Sequence, residues 1–137
     1  MGAHNLADRA VGKTMREAYD SAVSYATSQY GHDAYNGSIS TTNGFEDKTK
    51  ELEQLLARKR EGTYETRIKE GEGWNVVFKM VEKNFKDMTD DEWHKKCISD
   101  WEEEAWDNTE KWEKVWAARC GDINGDSLYL FAGWAAE

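Results

Sequence analysis

Two short stretches contain residue types that phosphate or calcium binding would need, but each pattern is incomplete. The stretch VGKT at 11–14 resembles the end of a phosphate-binding loop, yet Ala7 stands where that loop needs a glycine, and no strand is predicted before it. The stretch DINGD at 122–126 begins with calcium-loop spacing, but Ser127 and Gly133 occupy the positions of the required Gly and Glu. We therefore predict no cofactor and no bound metal from these motifs.

The cysteines and histidines support an enzyme or a zinc site only weakly. His94 and Cys97 lie three residues apart on a predicted helix, and Cys120 with His32 could complete four zinc ligands only if the fold brought them together. No histidine is placed to activate Cys120 as a nucleophile. We predict no catalytic residue, and an enzyme remains the third hypothesis.

The most unusual feature is an acidic segment over residues 87–113, which holds 11 acids and 3 bases and so carries −8 of the net charge of −9. A field of this sign repels the phosphates of nucleic acids and favours a basic protein partner. Tryptophans interleave with the carboxylates, and at 100° per residue they cannot all face one core. An exposed Trp106 or Trp112 ringed by carboxylates would anchor such a partner. The predicted partner-binding residues are Glu102, Glu103, Glu104, Trp106, Asp107, Glu110, Trp112 and Glu113.

The stretch GHDAYNGSISTT at 31–42 is the alternative site. Backbone amides near Gly37 and the hydroxyls that follow could hold a nucleotide phosphate, and Tyr35 could stack on a base. The simpler interpretation is a helix stop, a turn and a polar-faced strand at SISTT. The alternative ligand-binding residues are Tyr35, Asn36, Gly37, Ser38 and Ser40.

Periodicity predicts the elements that would position these residues. Helical spacing predicts helices over 14–30, with Thr14 and Glu17 as a capping box, and over 46–60. The spacing of Trp74, Val77, Phe78, Val81, Phe85 and Met88 predicts another helix, and a capping box at Thr89 and Glu92 opens one that ends near 107–109.

Alternating residues over 63–70 predict a strand, and two apolar runs around Asn124-Gly125 predict a C-terminal β-hairpin. The second run, SLYLFAGW, is almost continuously apolar and should be a central strand. The sequence thus predicts an α+β fold: an antiparallel sheet of about four strands with three to four helices packed on it. It predicts a single domain over 1–137, with residues 1–12 as a potentially mobile terminus.

The segments YGHDAYNGSISTTNGF (30–45) and LYLFAGWAA (128–136) carry a resemblance to a loose group of small bacteriophage and prophage proteins of no assigned activity. In that group a Tyr-Gly-His segment leads to Tyr-x-Gly-Thr-Ile, and the chain closes near Phe-x-Gly-Trp-Ala. Ser38 stands where the group usually has Thr. The resemblance implies a viral setting and assigns no site residues.

Together these observations yield two hypotheses of function. The first is a non-enzymatic phage protein that inhibits a host defence nuclease complex, of the anti-CRISPR or anti-restriction type, through its acidic, tryptophan-rich surface. The second is a protein that sequesters a nucleotide signal through residues 31–42. Because the N-terminus has no apolar run and no segment could span a bilayer, we expect the cytoplasm of an infected cell, with no membrane or direct nucleic-acid partner.

Overall fold

The chain has an α+β fold, as predicted. The computed structural model describes residues 2–31 and 36–136. Its elements are β1 (Ala3–Gly12), α1 (Met15–Tyr30), β2 (Phe45–Asp47), α2 (Thr49–Leu56), β3 (Thr63–Glu70), β4 (Val77–Asn84), α3 (Asp90–Asn108), β5 (Val115–Ile123) and β6 (Asp126–Ala136). Short 3₁₀ helices lie at Ile39–Thr41, Gly73–Asn75 and Phe85–Asp87.

The main sheet has the strand order β1-β6-β5-β2, so β6 is central, as its apolar composition predicted. The pairs β1–β6 and β5–β6 are antiparallel, and the latter is the predicted hairpin. The expectation of an all-antiparallel sheet is wrong, because β2 pairs with β5 in parallel. Parallel neighbours need a long crossover, and residues 48–114 supply it.

Helices cover both faces of this sheet. On one face, Ala18, Tyr19 and Ala26 of α1 pack against Tyr129 and Phe131 of β6. On the other, Leu52 of α2 and Ile98, Trp101 and Ala105 of α3 pack against the intervening residues Leu130 and Ala132. Burial on both faces removes the need for polar residues on β6, which is why that strand is almost continuously apolar.

The helix predicted over 74–88 is wrong: residues 77–84 form β4, which pairs antiparallel with β3. Spacings of four residues, such as Val77, Val81 and Phe85, fit a strand period of two as well as a helix period of 3.6. The neighbouring strand β3 decides between them. This β3–β4 ribbon lies outside the main sheet and leaves Trp74, Phe78 and Met80 exposed.

Three further local predictions are corrected. No strand was expected within residues 3–12. These residues form β1, which pairs with β6 over a register of ten residues. The stretch SISTT is not a strand, because Ile39–Thr41 form a 3₁₀ helix whose N-cap Ser38 accepts a hydrogen bond from the Ser40 amide. Short side chains that bond nearby amides compete with strand pairing. The predicted helix over 46–60 is shorter, at Thr49–Leu56.

The predicted helix boundaries at the two capping sites are confirmed. Thr14 accepts from the Glu17 amide at the start of α1, and Gly31 ends that helix with a φ of 85°. Thr89 and Glu92 form the full capping box of α3, in which each side chain bonds the other residue's amide. These caps satisfy amides that lack helical partners, and they place α3 in its predicted register.

Candidate functional site

The acidic residues that the sequence singled out lie at the C-terminal end of α3 and in the turn that follows. Glu103, Glu104 and Asp107 are exposed on α3, and Glu110 and Glu113 are exposed in the turn after its C-cap, Thr109. We call these five residues the acidic cluster. Among the described residues none of the five forms an ion pair.

The position of the acidic cluster is electrostatically unfavourable. The C-terminal end of a helix carries partial negative charge, so carboxylates there raise the free energy of the folded state. The last turn of α3 has no basic residue that would offset this, whereas its first turn holds Asp90, Asp91 and Glu92, where carboxylates are favourable. The acidic cluster therefore lowers the free energy of unfolding, and a binding function would explain why these carboxylates are present.

The two candidate anchoring tryptophans have different environments. Trp106 is half-buried, donates a hydrogen bond from Nε1 to the Leu6 carbonyl at 2.9 Å, and accepts one on its own carbonyl from Trp134 Nε1 at 2.7 Å. Its role as an exposed anchor is therefore a wrong prediction. Trp112 is 42% exposed and has a φ of 70°. A bulky residue with positive φ is uncommon and marks a constrained position, so Trp112 is the anchor that the structure leaves.

Glu102 is separated from the acidic cluster. It is half-buried and faces the β1 side of α3, where it lines a small cavity of about 160 Å³ with Asp8 and Arg9. Burial raises the pKa of the Glu102 carboxyl, and the positive charge of Arg9 opposes that rise. Glu102 therefore contributes less to the exposed acidic surface than its neighbours do.

Hydrogen bonds inside the 36–42 stretch occupy the polar groups that were proposed to bind phosphate. Asn36 Oδ1 accepts from the Ser38 amide and hydroxyl, and Asn36 Nδ2 donates to Ser40 Oγ. The Gly37 amide donates to the Ala136 carbonyl, and Thr41 Oγ1 accepts from the Ala136 amide. These bonds tie the stretch to the end of β6. They favour a structural role for it, and Tyr35 lies outside the described residues.

A groove that the sequence analysis missed runs between β1 and α1. Its volume is about 930 Å³, and its floor consists of the consecutive residues 4–11 of β1. Ser21, Ala22, Tyr25 and Tyr30 of α1 form the opposite wall. The groove was missed because β1 itself was not predicted. Burial alternates along β1, with Leu6, Asp8 and Ala10 less exposed than their neighbours, but the types of these residues do not show this alternation in the sequence.

Asp8 is the most unusual residue of this groove. It is half-buried, and among the described residues no side chain or amide forms an ion pair or hydrogen bond with its carboxylate. Burial raises the pKa of the Asp8 carboxyl above its ordinary value of 3.8. A desolvated carboxylate in a cleft is typical of binding sites.

We expect Asp8→Asn to raise the melting temperature at pH 7. Because the folded-state pKa of Asp8 is raised, the stability contributed by its protonated form is fully present below about pH 3.8 and is lost as pH rises through the folded-state pKa. The gain from Asp8→Asn should therefore shrink as pH falls toward 3.8. Thermal melts from pH 3.5 to 8 test this. The control is Asp20→Asn, because the Asp20 carboxylate is exposed and paired with Arg16, and this variant should show no gain in melting temperature. A gain from Asp8→Asn that does not change with pH would contradict the expectation.

The remaining candidates for chemistry find little support. Burial raises the pKa of the Cys120 thiol, which lowers its thiolate fraction and its nucleophilicity. Cys97 is buried, and its Sγ donates to the Leu55 carbonyl at 3.4 Å. Within residues 2–31 and 36–136 no three His, Cys, Asp or Glu side chains are grouped to hold a metal, and His32 is outside those ranges.

No protein-family model, no curated protein and no solved structure matches this chain. None of the helices in the described part of the chain has the length and apolar composition that crossing a bilayer requires. The candidate sites therefore rest on their own geometry: an exposed acidic cluster with Trp112, and a groove beside β1 that contains Asp8.

Proposed function

We propose that this protein is a non-enzymatic inhibitor that binds the basic nucleic-acid groove of a host defence nuclease complex. One observation carries the proposal: five exposed carboxylates without ion pairs among the described residues lie together at the helix end that opposes negative charge. Charge at this position destabilises the folded chain. A basic partner would neutralise it and would gain affinity and association rate from the complementarity.

The arrangement suits a surface that competes with DNA or RNA. A nucleic-acid groove in a nuclease is lined with Lys and Arg that contact phosphates, and the acidic cluster offers carboxylates to the same side chains. Trp112, half-exposed beside Glu110 and Glu113, would supply the apolar anchor that tight interfaces need. The viral setting implied by the resemblance makes a host defence complex the partner that we propose.

Nucleotide sequestration through residues 31–42 is the weaker proposal, because the hydroxyls of Ser38, Ser40 and Thr41 already have hydrogen-bond partners within the protein. A phosphate would have to displace bonds that hold the end of β6. A melting-temperature increase with cyclic dinucleotides would support it nonetheless, since a ligand that binds only the folded state stabilises that state.

The test is inhibition of DNA cleavage by purified CRISPR effectors and restriction endonucleases, assayed with the wild-type protein and the variant Glu103→Lys/Glu104→Lys/Asp107→Lys. We expect the wild type to inhibit one of these enzymes, and the triple variant to be weaker by on the order of 100-fold, because close charge pairs across interfaces contribute several kcal/mol. Wild-type inhibition should also weaken as salt is raised.

The matched control is Glu61→Lys/Glu65→Lys/Glu72→Lys, which makes the same change in net charge at exposed positions in and beside the β3–β4 ribbon. It should inhibit almost as well as the wild type. If the first triple variant inhibited as well as the wild type, or if both triple variants lost inhibition equally, the acidic cluster would not be the binding surface.

A further inference from the structure

The outer edge of β1 is open along most of its length. β1 lies at the end of the main sheet and pairs with β6 on one side only. In an antiparallel pair, alternate residues direct both their amide and their carbonyl away from the partner strand. The main-chain groups of residues 115, 117 and 119 of β5 bond on the β2 side, so residues 116 and 118 bond to β6. Residues 129, 131, 133 and 135 of β6 are then left to bond to β1, where the register pairs them with residues 10, 8, 6 and 4. The main-chain groups of Asn5, Ala7 and Arg9 therefore point outward.

Trp106 of α3 donates to the Leu6 carbonyl, which points toward β6, so the outer edge at Ala7 and Arg9 stays open and borders the groove beside α1. The groove follows β1 from His4 to Val11, which is a length that an extended segment of several residues would fill. The wall opposite carries Tyr25 and Tyr30, which are 67% and 63% exposed. A strand edge bordered by a helix is the geometry in which extended peptides add to a sheet.

The charge in the groove indicates the chemistry of its occupant. Leu6 and the register partner of Asp8, Phe131, both belong to the core on the α1 face, so the Asp8 side chain points into the groove. Its carboxylate has no partner among the described residues. Arg9 projects to the opposite face, where its charge acts on Glu102. The groove therefore presents an unneutralised anionic group that a lysine or arginine would match.

We propose that this groove binds an extended segment of a basic protein, which adds to the sheet as a fifth strand beside β1 and places a Lys or Arg against Asp8. Main-chain hydrogen bonds to Ala7 and Arg9 provide affinity, and Asp8 selects for a cation. This binding mode uses a surface other than the acidic cluster and does not depend on the proposed inhibitor function. Self-pairing through β1 is disfavoured, because it would bring together two chains that each carry a net charge of −9.

The experiment uses synthetic peptides with the pattern Lys-Val-Arg-Val-Lys-Val as probes, and amide hydrogen exchange of the whole protein measured by NMR as the readout. Before addition, the outward amides of Ala7 and Arg9 should exchange faster than those of Asp8 and Ala10. The basic peptide should slow exchange at Ala7 and Arg9 specifically. A matched peptide with Glu in place of each Lys and Arg should produce no protection.

Two controls separate strand addition from charge attraction alone. A basic peptide N-methylated at alternate residues keeps its charge but lacks the amides that a fifth strand needs, so it should bind at least about tenfold more weakly. Asp8→Asn should weaken the unmethylated peptide about tenfold while the variant stays folded. Charge reversal at Glu103, Glu104 and Asp107 should leave protection of Ala7 and Arg9 intact.

Four results would overturn the proposal. They are no protection by the basic peptide, equal binding of the N-methylated peptide, protection by nucleotides in place of peptides, and concentration-dependent protection of Ala7 and Arg9 without any peptide. The last would indicate pairing between two copies of β1. None of these outcomes depends on whether the acidic cluster inhibits a nuclease, so the two proposals can fail separately.

Discussion

Trp101→Ala is expected to lower the free energy of unfolding by about 3–5 kcal/mol. Trp101 is fully buried between α3 and the sheet, its ring centroid lies 6.1 Å from that of Trp116, and its Nε1 donates to the Lys48 carbonyl at 3.1 Å. The substitution leaves a large cavity and also removes the partner of that carbonyl. Urea denaturation followed by circular dichroism measures the change.

The control for this prediction is Trp74→Ala. Trp74 is fully exposed near the tip of the β3–β4 ribbon, so its removal should change the free energy of unfolding by no more than about 0.5 kcal/mol. Both variants lose the same side chain, so the difference between their free energies of unfolding shows whether Trp101 belongs to the core. Equal losses from the two variants would mean that Trp101 is not at the centre of the α3–sheet interface.

The variant Glu103→Lys/Glu104→Lys/Asp107→Lys is expected to be more stable than the wild type, by about 1–2 kcal/mol or about 3–6 °C in Tm. Each substitution replaces an unfavourable charge near the C-terminal end of α3 with a favourable one and reduces repulsion within the acidic cluster. A gain in stability together with a loss of inhibition would show that these carboxylates are retained for binding and not for folding.

Asp91→Lys provides the matched control at the other end of the same helix. Asp91 is exposed in the first turn of α3, where a carboxylate is favourable, so this reversal should lower Tm. Both effects should diminish in 1 M salt, where the Debye length is about 3 Å. A triple variant that melts at or below the wild-type temperature in low salt would contradict the proposed electrostatic cost.

Local signals predicted the parts of the fold that local chemistry decides. Thr14, Thr89 and Glu92 predicted where α1 and α3 begin; the capping box of α3 is complete, whereas at α1 Thr14 caps the helix but Glu17 accepts from the Lys13 amide instead of the Thr14 amide. The Asn124-Gly125 turn predicted the β5–β6 hairpin, in which Asn124 takes a φ of 50° and Gly125 a φ of 87°. Turn and cap residues act within a few positions of themselves, so their consequences can be predicted without the rest of the chain.

The errors occurred where a distant partner decides the structure. β1 has only two large apolar residues, Leu6 and Val11, and becomes a strand because β6 offers it a register of ten residues. Residues 77–84 fit a helix or a strand by spacing, and β3 selects the strand. Either Trp106 or Trp112 was expected at the surface, and Trp106 is the one held inside, because the Leu6 carbonyl, a hundred positions away in sequence, receives its indole N–H. Periodicity carries no information about such partners.

The sequence by itself determined the α+β class, the charge imbalance, the α3 register and the central position of β6, because composition and nearest-neighbour chemistry suffice for these. Only the tertiary structure decided which carboxylates and which tryptophan are exposed, and that Asp8, without a partner among the described residues, lies in a groove beside an open strand edge. Those properties depend on which segments pack together, and packing is settled by contacts between residues far apart in the chain.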